Sequence, residues 1–335
     1  MATRTKGGGP RIVTIVNRRA RRLASETASR ALLDVLRARR SGVRVIETQT
    51  MAELDAAADE LAREVPDAIV LAGGDGSYMA GVTALARAFR EAGRGPEALP
   101  AIALAPGGTV STVARNWGFK GGGLFSGGGD AARYAARLLD AASAGRAELT
   151  RRPTLQVVDD TATRVGFIVG AGLVSRFFEV YDDDGARGYG GAAKIVARIF
   201  AGSFAGGRLA RRVLTPVPCS LEVDGVPASF DAASLVCASV VKNLGIGMRL
   251  LYRAGDEQHR FHIVASALGP SLLGPQLPLV LAGQPLLGRG RVDALAKHVT
   301  LRFPERDGAY VLDGELVRAE HVEITPGPVL RVLSV

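Results

Sequence analysis

The chain has 335 residues, 47% of them hydrophobic, which is typical of one or two globular domains and excludes a disordered chain. Its formal net charge of +9 favours anionic partners such as nucleotides or an anionic membrane, although a compositional preference for arginine explains the charge equally well. Aromatic residues make up only 5%, too few for base-stacking platforms, so nucleic-acid binding is not expected.

The cysteines and the N-terminal residues bear on the compartment. Cys219 and Cys237 lie in apolar, strand-like runs, and two isolated cysteines give neither a disulfide framework nor a metal-binding spacing. Residues 1–10 are polar and glycine-rich, without the apolar core of a signal peptide. We therefore expect a cytoplasmic protein with two buried thiols.

The first half of the chain alternates short apolar runs with amphipathic helical patterns. The predicted strands are Arg11–Val16, Val43–Ile46, the run that opens at Ala68, and Ala101–Ala105. The predicted helices are Arg19–Arg39, a helix opened by the capping box Thr50–Glu53, a helix after Ser77, Ser111–Trp117, and a helix that ends near Gly145. This alternation predicts an α/β domain with a doubly wound, mostly parallel sheet.

Polar or glycine-rich residues follow all four predicted strands. Because ligands of such sheets bind at the carboxyl ends of the strands, we expect these residues to share one edge and form a site. They are Asn17, Thr48, Gly73, Gly74, Asp75, Gly76, Ser77, Gly107, Gly108 and Thr109.

The loop Gly73–Ser77 joins a buried strand to a helix, an arrangement that lets backbone N–H groups approach a phosphate. An ordinary tight turn is the alternative interpretation. The loop lacks the third glycine of a dinucleotide fingerprint, and the chain contains no Gly-x-x-x-x-Gly-Lys-Ser/Thr motif. The carboxylate of Asp75 is unusual in a phosphate loop. Ribose hydroxyls, metal-bound water and a helix N-terminus are the partners that it could have.

After Thr150 the periodicity changes to short alternating runs, which predicts a second, β-rich and mostly antiparallel domain. The predicted strands are Thr154–Val158, Val165–Val169, Ser220–Val223, Ser234–Val241, Phe261–Val264, Val299–Phe303 and Val322–Ile324. Ala265–Gly288 carries no charge, but its four prolines favour a buried helix-and-loop connection over a membrane span. Gly191–Arg212 is basic and amphipathic, typical of either a solvated surface helix or a segment that lies on an anionic membrane.

Three motifs together resemble the diacylglycerol kinase catalytic-domain family, which includes bacterial lipid kinases, sphingosine kinases and ceramide kinases. They are Gly73-Gly74-Asp75-Gly76-Ser77, Pro106-Gly107-Gly108-Thr109, and Asp313-Gly314-Glu315 after the strand run Tyr310–Leu312. The resemblance implies an NAD-kinase-like α/β nucleotide domain over residues 1–148 and a β-sandwich lipid domain over residues 149–335. It also implies ATP in the cleft between the two domains.

The resemblance also implies roles for individual residues. Gly73–Ser77 is similar to the loop that binds the nucleotide phosphates in this family. Asn17, Thr48 and Thr109 match family positions in or beside the nucleotide site. Asp313 and Glu315 match the acidic pair that carries the catalytic base, and Asp256 is the remnant of an Asp-Gly motif for Mg²⁺.

At three positions the chain departs from the family pattern. Arg18–Arg21 replaces Pro-x-Ser-Gly after the first strand, and these arginines suit direct contact with phosphate. Thr112 stands where an acid commonly follows the second loop, and Val169 replaces an asparagine. These departures bear on the substrate and metal sites more than on the nucleotide site.

The expected function is that of an ATP-dependent lipid kinase. Such an enzyme transfers the γ-phosphate to the primary hydroxyl of diacylglycerol, ceramide or a sphingoid base, with Mg²⁺ and with contact to anionic lipid at the inner face of the membrane. One alternative is an NAD-kinase-like enzyme. The C-terminal motif Asp313-Gly314-Glu315 disfavours it, because this motif matches the lipid kinase family. The other is a catalytically impaired protein that binds a nucleotide or a lipid. The sequence leaves the oligomeric state open.

Overall fold

The computed structural model describes residues 11–20, 23, 26–38, 43–107, 111–119, 129–185, 188–304 and 308–335. The chain forms two compact units. The first is Met1–Arg152 with Val329–Val335, and the second is Pro153–Pro328. The structure therefore groups residues 149–152 and the last seven residues with the first unit, whereas the sequence assigned them to the second domain.

The first unit alternates strands and helices in the predicted order. Its elements are β1 (Ile12–Asn17), α1 (Glu26–Ala38), β2 (Val43–Thr48), α2 (Met51–Glu64), β3 (Ala68–Gly73), α3 (Asp75–Glu91), a 3₁₀ turn at Pro96–Ala98, β4 (Ala101–Pro106), α4 (Thr112–Asn116), α5 (Gly129–Ser143) and β5 (Glu148–Arg152).

The second unit is built mainly from strands, with one group of helices between β8 and β9 and another between β14 and β15. Its elements are β6 (Leu155–Asp159), β7 (Thr163–Gly166), β8 (Ile168–Gly172), α6 (Leu173–Asp183), α7 (Gly188–Phe204), α8 (Arg208–Leu214), β9 (Val217–Pro218), β10 (Ser220–Val223), β11 (Val226–Pro227), β12 (Ala232–Ala233), β13 (Leu235–Ser239), β14 (Phe261–Ser266), α9 (Pro270–Leu273), a 3₁₀ turn at Gly274–Gln276, α10 (Leu277–Ala282), β15 (Arg291–Ala296), β16 (Val299–Arg302), β17 (Ala309–Leu312), β18 (Glu315–Arg318) and β19 (His321–Pro326). The chain then returns to the first unit as β20 (Leu330–Ser334).

The sheet of the first unit has the strand order β2-β1-β3-β4-β20-β5. β1 to β4 are parallel, β20 runs parallel to β4, and β5 is antiparallel to β20. Helices α1 and α5 bury one face of the sheet around Val16, Val70 and Ala103. Helix α3 covers the other face, where Gly81 lies close to Leu71. The predicted doubly wound α/β sheet is confirmed.

Helix α1 begins seven residues later than predicted. The side-chain oxygen of Asn17 accepts a hydrogen bond from the N–H of Arg19 (2.9 Å), and the N–H of Ala20 donates to the carbonyl of Asn17 (3.2 Å). This local turn takes the first residues of the pattern out of the helix, because an asparagine side chain competes with helical hydrogen bonds. The helix starts at Glu26 instead.

The capping box at the start of α2 is present as predicted. The N–H of Glu53 donates to the Thr50 hydroxyl (3.2 Å), and the Glu53 carboxylate accepts from the N–H of Thr50 (3.2 Å). The glycine-rich stretch 120–128, which the sequence predicts to be a loop, lies outside the described residues.

The second unit contains two six-stranded sheets, of order β11-β10-β16-β19-β6-β7 and β15-β14-β13-β8-β17-β18, and a small pair β12-β9. All of their strand pairs are antiparallel. The predicted β-rich, antiparallel class is therefore confirmed, and both cysteines are buried thiols as expected.

Two predicted segments of the second unit differ in detail from the structure. The single strand expected at Val165–Val169 is two strands, β7 and β8, which meet at Phe167. The uncharged segment Ala265–Gly288 contains the end of β14 and the short helices α9 and α10, so the predicted helix-and-loop connection is present. The prediction that it is buried is wrong, because Leu272 and Leu281 are exposed and α10 has no buried side chain. Of the helices in the described part of the chain, none is both long and apolar enough to cross a membrane.

Candidate functional site

Hydrogen bonds join the carboxyl ends of the four parallel strands in the first unit. The N–H of Gly107 donates to the carbonyl of Gly73 (2.6 Å), which ties the end of β4 to the end of β3. The side-chain amide of Asn17 donates to the hydroxyl of Ser77 (2.8 Å), and β2 joins through Thr48, whose carbonyl accepts from the N–H of residue 18 (3.0 Å). The structure thus brings Asn17, Thr48, Gly73–Ser77 and Gly107 to one edge, while Gly108 and Thr109 lie outside the described residues.

Gly73 and Gly107 at this edge are required by the close approach of neighbouring side chains and not by a left-handed backbone. None of Gly73, Gly74, Gly76 or Gly107 has a positive φ. A side chain at Gly73 would collide with Ser77, and a Cβ at Gly107 would lie 2.7 Å from a methyl group of Leu23. The interpretation as a left-handed tight turn therefore does not explain these glycines.

The first turn of α3 presents backbone N–H groups without helical acceptors. The first intrahelical bond runs from the N–H of Tyr78 to the carbonyl of Gly74 (3.0 Å), so the N–H groups of Asp75, Gly76 and Ser77 precede it. These three groups and the helix dipole attract a negative charge. Gly76 carries no side chain that would cover them.

The carboxylate of Asp75 caps a different helix from its own. Its oxygens accept hydrogen bonds from the N–H groups of Thr112 (2.8 Å) and Val113 (3.0 Å), which open α4. Burial raises the pKa of Asp75, and the hydrogen bonds from Val113 and Thr112 oppose that rise. Of the partners that the sequence allowed, the structure shows a helix N-terminus. Asp75 thus links the first glycine loop to α4, the helix that follows the second glycine loop. Its carboxylate contacts the backbone N–H groups of that helix.

The arginines beside this edge differ in whether their charge is already paired with an acidic side chain. Arg18 and Arg37 both pair with Glu47, at 2.9 and 3.1 Å, so their charges are partly neutralised. The side chain of Arg19 is exposed, and no ion pair to it occurs among the described residues. Arg21 lies outside the described residues. Among the described arginines of this segment, Arg19 is the one without an ion pair, although its charge lies close enough to the Glu53 carboxylate to help lower the pKa of that group.

In the second unit, Asp313 and Gly314 form the two-residue turn between β17 and β18. Their φ angles are +50° and +91°, and Leu312 pairs with Glu315 across the hairpin. A two-residue hairpin with both φ values positive favours Asp-Gly. The sequence motif therefore has a structural reason that is independent of any chemistry.

The two acids of this motif have different surroundings. Asp313 is buried, and its carboxylate accepts hydrogen bonds from the N–H groups of Phe167 and Ile168, both at 3.0 Å. Its own N–H donates to the carbonyl of Ile168 (3.0 Å). Glu315 is exposed, and among the described residues no hydrogen bond or ion pair involves its carboxylate. Asp313 thus anchors the turn on the junction of β7 and β8, whereas Glu315 is accessible to a proton donor.

A buried polar network supports the strand that leads to this turn. The hydroxyl of Tyr310 on β17 donates to the carboxylate of Asp159 (2.6 Å), which also binds Arg164 and the hydroxyl of Thr161. Burial alone would raise the pKa of Asp159, but the hydrogen bonds from Thr161 and Tyr310 lower it well below its ordinary value. The link to β17 is absent from the sequence motifs because Tyr310 lies 151 residues from Asp159.

The lowered pKa of Asp159 predicts a loss of stability in acid. A carboxyl group whose folded-state pKa is depressed stabilises the fold above its unfolded pKa of about 3.9, and this contribution disappears as the pH falls further. We expect Asp159→Asn to lower the free energy of unfolding at neutral pH and to flatten the decline of that free energy below about pH 4. Urea denaturation between pH 7 and 3 measures both effects, with exposed Asp182→Asn as the control. Equal pH dependence in wild type and Asp159→Asn would contradict the prediction.

The expected metal residue Asp256 has a different partner. Its carboxylate pairs with the ammonium group of Lys242 at 2.7 Å on the surface. Over the described ranges, no group of three or more His, Cys, Asp or Glu side chains is placed to hold a metal ion. The residues present therefore do not form a ready-made magnesium site at Asp256.

A second polar network, on β14 and β15, was not expected from the sequence. The buried imidazole of His262 contacts the carboxylate of Asp293 (2.9 Å), which also accepts from the hydroxyl of Tyr252 (2.9 Å). Burial raises the pKa of Asp293, but the bonds from His262 and Tyr252 outweigh this and lower it. These interactions satisfy the buried imidazole of His262 inside the sheet.

The chain is similar to one protein family and to several solved structures. Residues 11–144 match the model of the diacylglycerol kinase catalytic domain. No curated protein matches the chain in sequence. The structure of a diacylglycerol kinase from Bacillus anthracis str. Sterne is similar, with a TM-score of 0.61 and 15% identity over 99% of this chain and 98% of that chain.

Two structures of candidate diacylglycerol kinases from the same organism are also similar. Each has a TM-score of 0.64 and 16% identity to this chain. One alignment covers 99% of both chains, and the other covers 100% of this chain and 98% of the relative. At such identities the likeness shows the fold, which extends over both units.

Proposed function

We propose that the chain, whose residues 11–144 match the model of the diacylglycerol kinase catalytic domain as the motifs indicated, is an ATP-dependent lipid kinase. It transfers the γ-phosphate of ATP to the primary hydroxyl of a lipid alcohol, which is diacylglycerol, ceramide or a sphingoid base. The observation that carries this proposal is the edge of the first sheet, where two glycine loops are hydrogen-bonded together and the amides of α3 lack helical acceptors.

We assign the nucleotide phosphates to the first turn of α3. The N–H groups of Asp75, Gly76 and Ser77 supply donors there, and Arg19 supplies an accessible cation beside them. Asn17 fixes the hydroxyl of Ser77, and Thr48, Gly73, Gly74, Gly107, Gly108 and Thr109 complete the proposed nucleotide site. Asp75 takes no part as a phosphate ligand, because its carboxylate holds the N-terminus of α4.

We assign the chemical step on the acceptor to the second unit. The lipid hydroxyl attacks the γ-phosphorus, its proton passes to a carboxylate, and the bond from phosphorus to the β,γ-bridging oxygen breaks to release ADP. Glu315 is the proposed base because its carboxylate is exposed and uncommitted within the described residues. Asp313 is the proposed positioning residue, since its carboxylate anchors the turn that precedes Glu315.

ATP is proposed to act as its magnesium complex. Magnesium ions at such sites are held mainly by the phosphates and by one or two carboxylates. Because the described residues contain no preformed ligand group and Asp256 is paired with Lys242, no catalytic step is assigned to the ion. Dependence of the activity on added Mg²⁺, with EDTA as the control, tests this part separately.

Access to a lipid substrate requires contact with a bilayer, and we propose a cytoplasmic enzyme that binds the inner face of the membrane. The segment Gly191–Arg212 corresponds to α7 and the start of α8. Two of its cations, Arg198 and Arg212, are paired with Asp184 and Asp183. Its basic face is therefore weaker than the sequence suggests, and cations at other positions have to add to the attraction.

One assay separates the proposed function from its alternatives. The protein is incubated with labelled ATP and Mg²⁺ and with a panel of diacylglycerol, ceramide, sphingoid base and NAD. Labelled lipid phosphate supports the proposal, and labelled NADP assigns the chain to NAD-kinase-like chemistry. ATP binding by calorimetry without any labelled product identifies a catalytically impaired binding protein.

A further inference from the structure

One surface of the second unit exposes large apolar side chains on the helices that precede β15. Phe204 ends α7, Leu272 lies on α9, Leu281 lies on α10, and Leu287 follows α10. Their exposed fractions are 65%, 60%, 44% and 59%. We call these four residues the leucine surface. Helix α10 has the sequence Leu-Pro-Leu-Val-Leu-Ala, and none of its side chains is buried.

Hydrogen bonds join two members of the leucine surface, Leu272 and Leu287. The side-chain amide of Gln276 donates to the carbonyls of Leu272 (2.9 Å) and Leu287 (3.1 Å) and accepts from the N–H of Leu287 (2.7 Å). One side chain thus joins two of the four residues. Gly274 packs so tightly on Ser203 that a Cβ there would collide with it, which places the turn before α10 beside Phe204.

Three arginines without ion-pair partners in the described part of the chain lie next to the leucine surface, one by contact and two by sequence. Arg249 binds the carbonyl of Val280 through its N–H (3.1 Å), and its side chain is exposed. Arg289 follows Leu287 by two residues, and Arg208 follows Phe204 by four. None of the three arginines forms an ion pair among the residues that the structure describes. The sequence from 258 to 292 contains no aspartate or glutamate.

We propose that the leucine surface inserts into the headgroup boundary of an anionic bilayer, with Arg208, Arg249 and Arg289 on the lipid phosphates. A patch of apolar side chains with a cationic rim has the amphipathic character of interfacial segments. Each arginine near an anionic surface adds to the attraction in a salt-dependent way. The proposal rests on the proposed function, because a lipid kinase has to reach its substrate in a membrane. It places the main membrane contact on α9 and α10, whereas the sequence pointed to α7 and α8.

The positive charge around the leucine surface favours an anionic bilayer, and not a second copy of the chain, as its binding partner. In a symmetric dimer through this patch, the same surface meets itself, so the arginine rim of one copy faces that of the other. Like charges in that position oppose association, whereas anionic lipid phosphates complement them. The oligomeric state of the protein in solution is therefore measured together with its vesicle binding.

Vesicle binding in the absence of ATP tests the proposal independently of kinase activity. The double variant Leu281→Asp/Leu287→Asp is compared with wild type by sedimentation with phosphatidylcholine vesicles that contain or lack phosphatidylglycerol. We expect its partition onto anionic vesicles to fall at least tenfold with an unchanged melting temperature. The matched control is Val226→Asp, which changes a side chain that is 67% exposed on β11 and is expected to bind as wild type.

A spectroscopic reporter gives the second readout. The chain has a single tryptophan, Trp117, which is buried in the first unit. In Leu281→Trp, the new emission is expected to shift to the blue with anionic vesicles and to be quenched by brominated lipids. Unchanged emission, or equal partition of wild type and the double variant, overturns the proposal. A wild-type dimer that the leucine substitutions dissociate reassigns the surface to a second copy. Lost vesicle binding with no lipid phosphorylation leaves the surface supported and the kinase proposal wrong.

Discussion

Glu315→Gln is expected to reduce kcat for lipid phosphorylation by roughly 10²–10⁴-fold, the usual effect of removing a general base. Glutamine keeps the size and hydrogen-bonding capacity of the side chain but cannot take up the hydroxyl proton. The residue is exposed and no partner to its carboxylate occurs within the described ranges, so we expect the melting temperature to stay at the wild-type value. Calorimetric titration with ATP is expected to give wild-type affinity, because the proposed phosphate ligands lie in the first unit.

Asp313→Asn is the informative partner of this variant. Its carboxylate accepts one hydrogen bond on each oxygen, so an amide group sets a donor against the N–H of Phe167 or Ile168. A buried donor left without an acceptor costs about 1–3 kcal/mol, which lowers the melting temperature together with the activity. Loss of activity at an unchanged melting temperature in Asp313→Asn, with wild-type rates in Glu315→Gln, would make Asp313 the base. Wild-type rates in both variants would leave the motif with a structural role only.

The second large effect is expected from Asp75→Ala, which we predict to weaken ATP binding by roughly 10–100-fold. The substitution removes the acceptor of the N–H groups of Thr112 and Val113 at the start of α4. Unsatisfied buried donors cost about 1–3 kcal/mol, and about 1.4 kcal/mol corresponds to a tenfold change in affinity. The helix that follows the second glycine loop then loses its anchor to the first loop, although the bond from the N–H of Gly107 to the carbonyl of Gly73 remains.

Calorimetry with ATP measures this effect, and circular dichroism reports whether the fold survives. Asp34→Ala is the matched control, because Asp34 is an exposed aspartate on α1 of the same unit. Wild-type affinity in Asp75→Ala would mean that the position of α4 does not matter for nucleotide binding. The same affinity loss in Asp34→Ala would attribute the effect to net charge.

The sequence predicted those parts of the fold that depend on local periodicity. Apolar runs identified β1, β3 and β4 because parallel strands are buried on both faces, and Thr50 and Glu53 identified the start of α2. The convergence of Asn17, Ser77 and Gly107 followed from the rule that parallel strands end at one edge.

The partners of the polar side chains could not be predicted in the same way. Asp75 binds amides 37 and 38 residues further on, and Asp313 binds amides 146 and 145 residues earlier. No local pattern encodes such distances, because they depend on the completed sheets. The split of the strand at Val165–Val169 has the same origin, since the N–H of Phe167 at the junction is held by Asp313.

The place of β20 in the first sheet has a consequence for synthesis on the ribosome. β20 lies between β4 and β5, yet the whole of the second unit is translated before it. Until then, the nascent first unit carries an unpaired edge on β4, and exposed strand edges are templates for aggregation. The first unit therefore cannot complete its sheet before the second unit has been translated, and a fragment that ends at Arg152 lacks the strand that covers this edge.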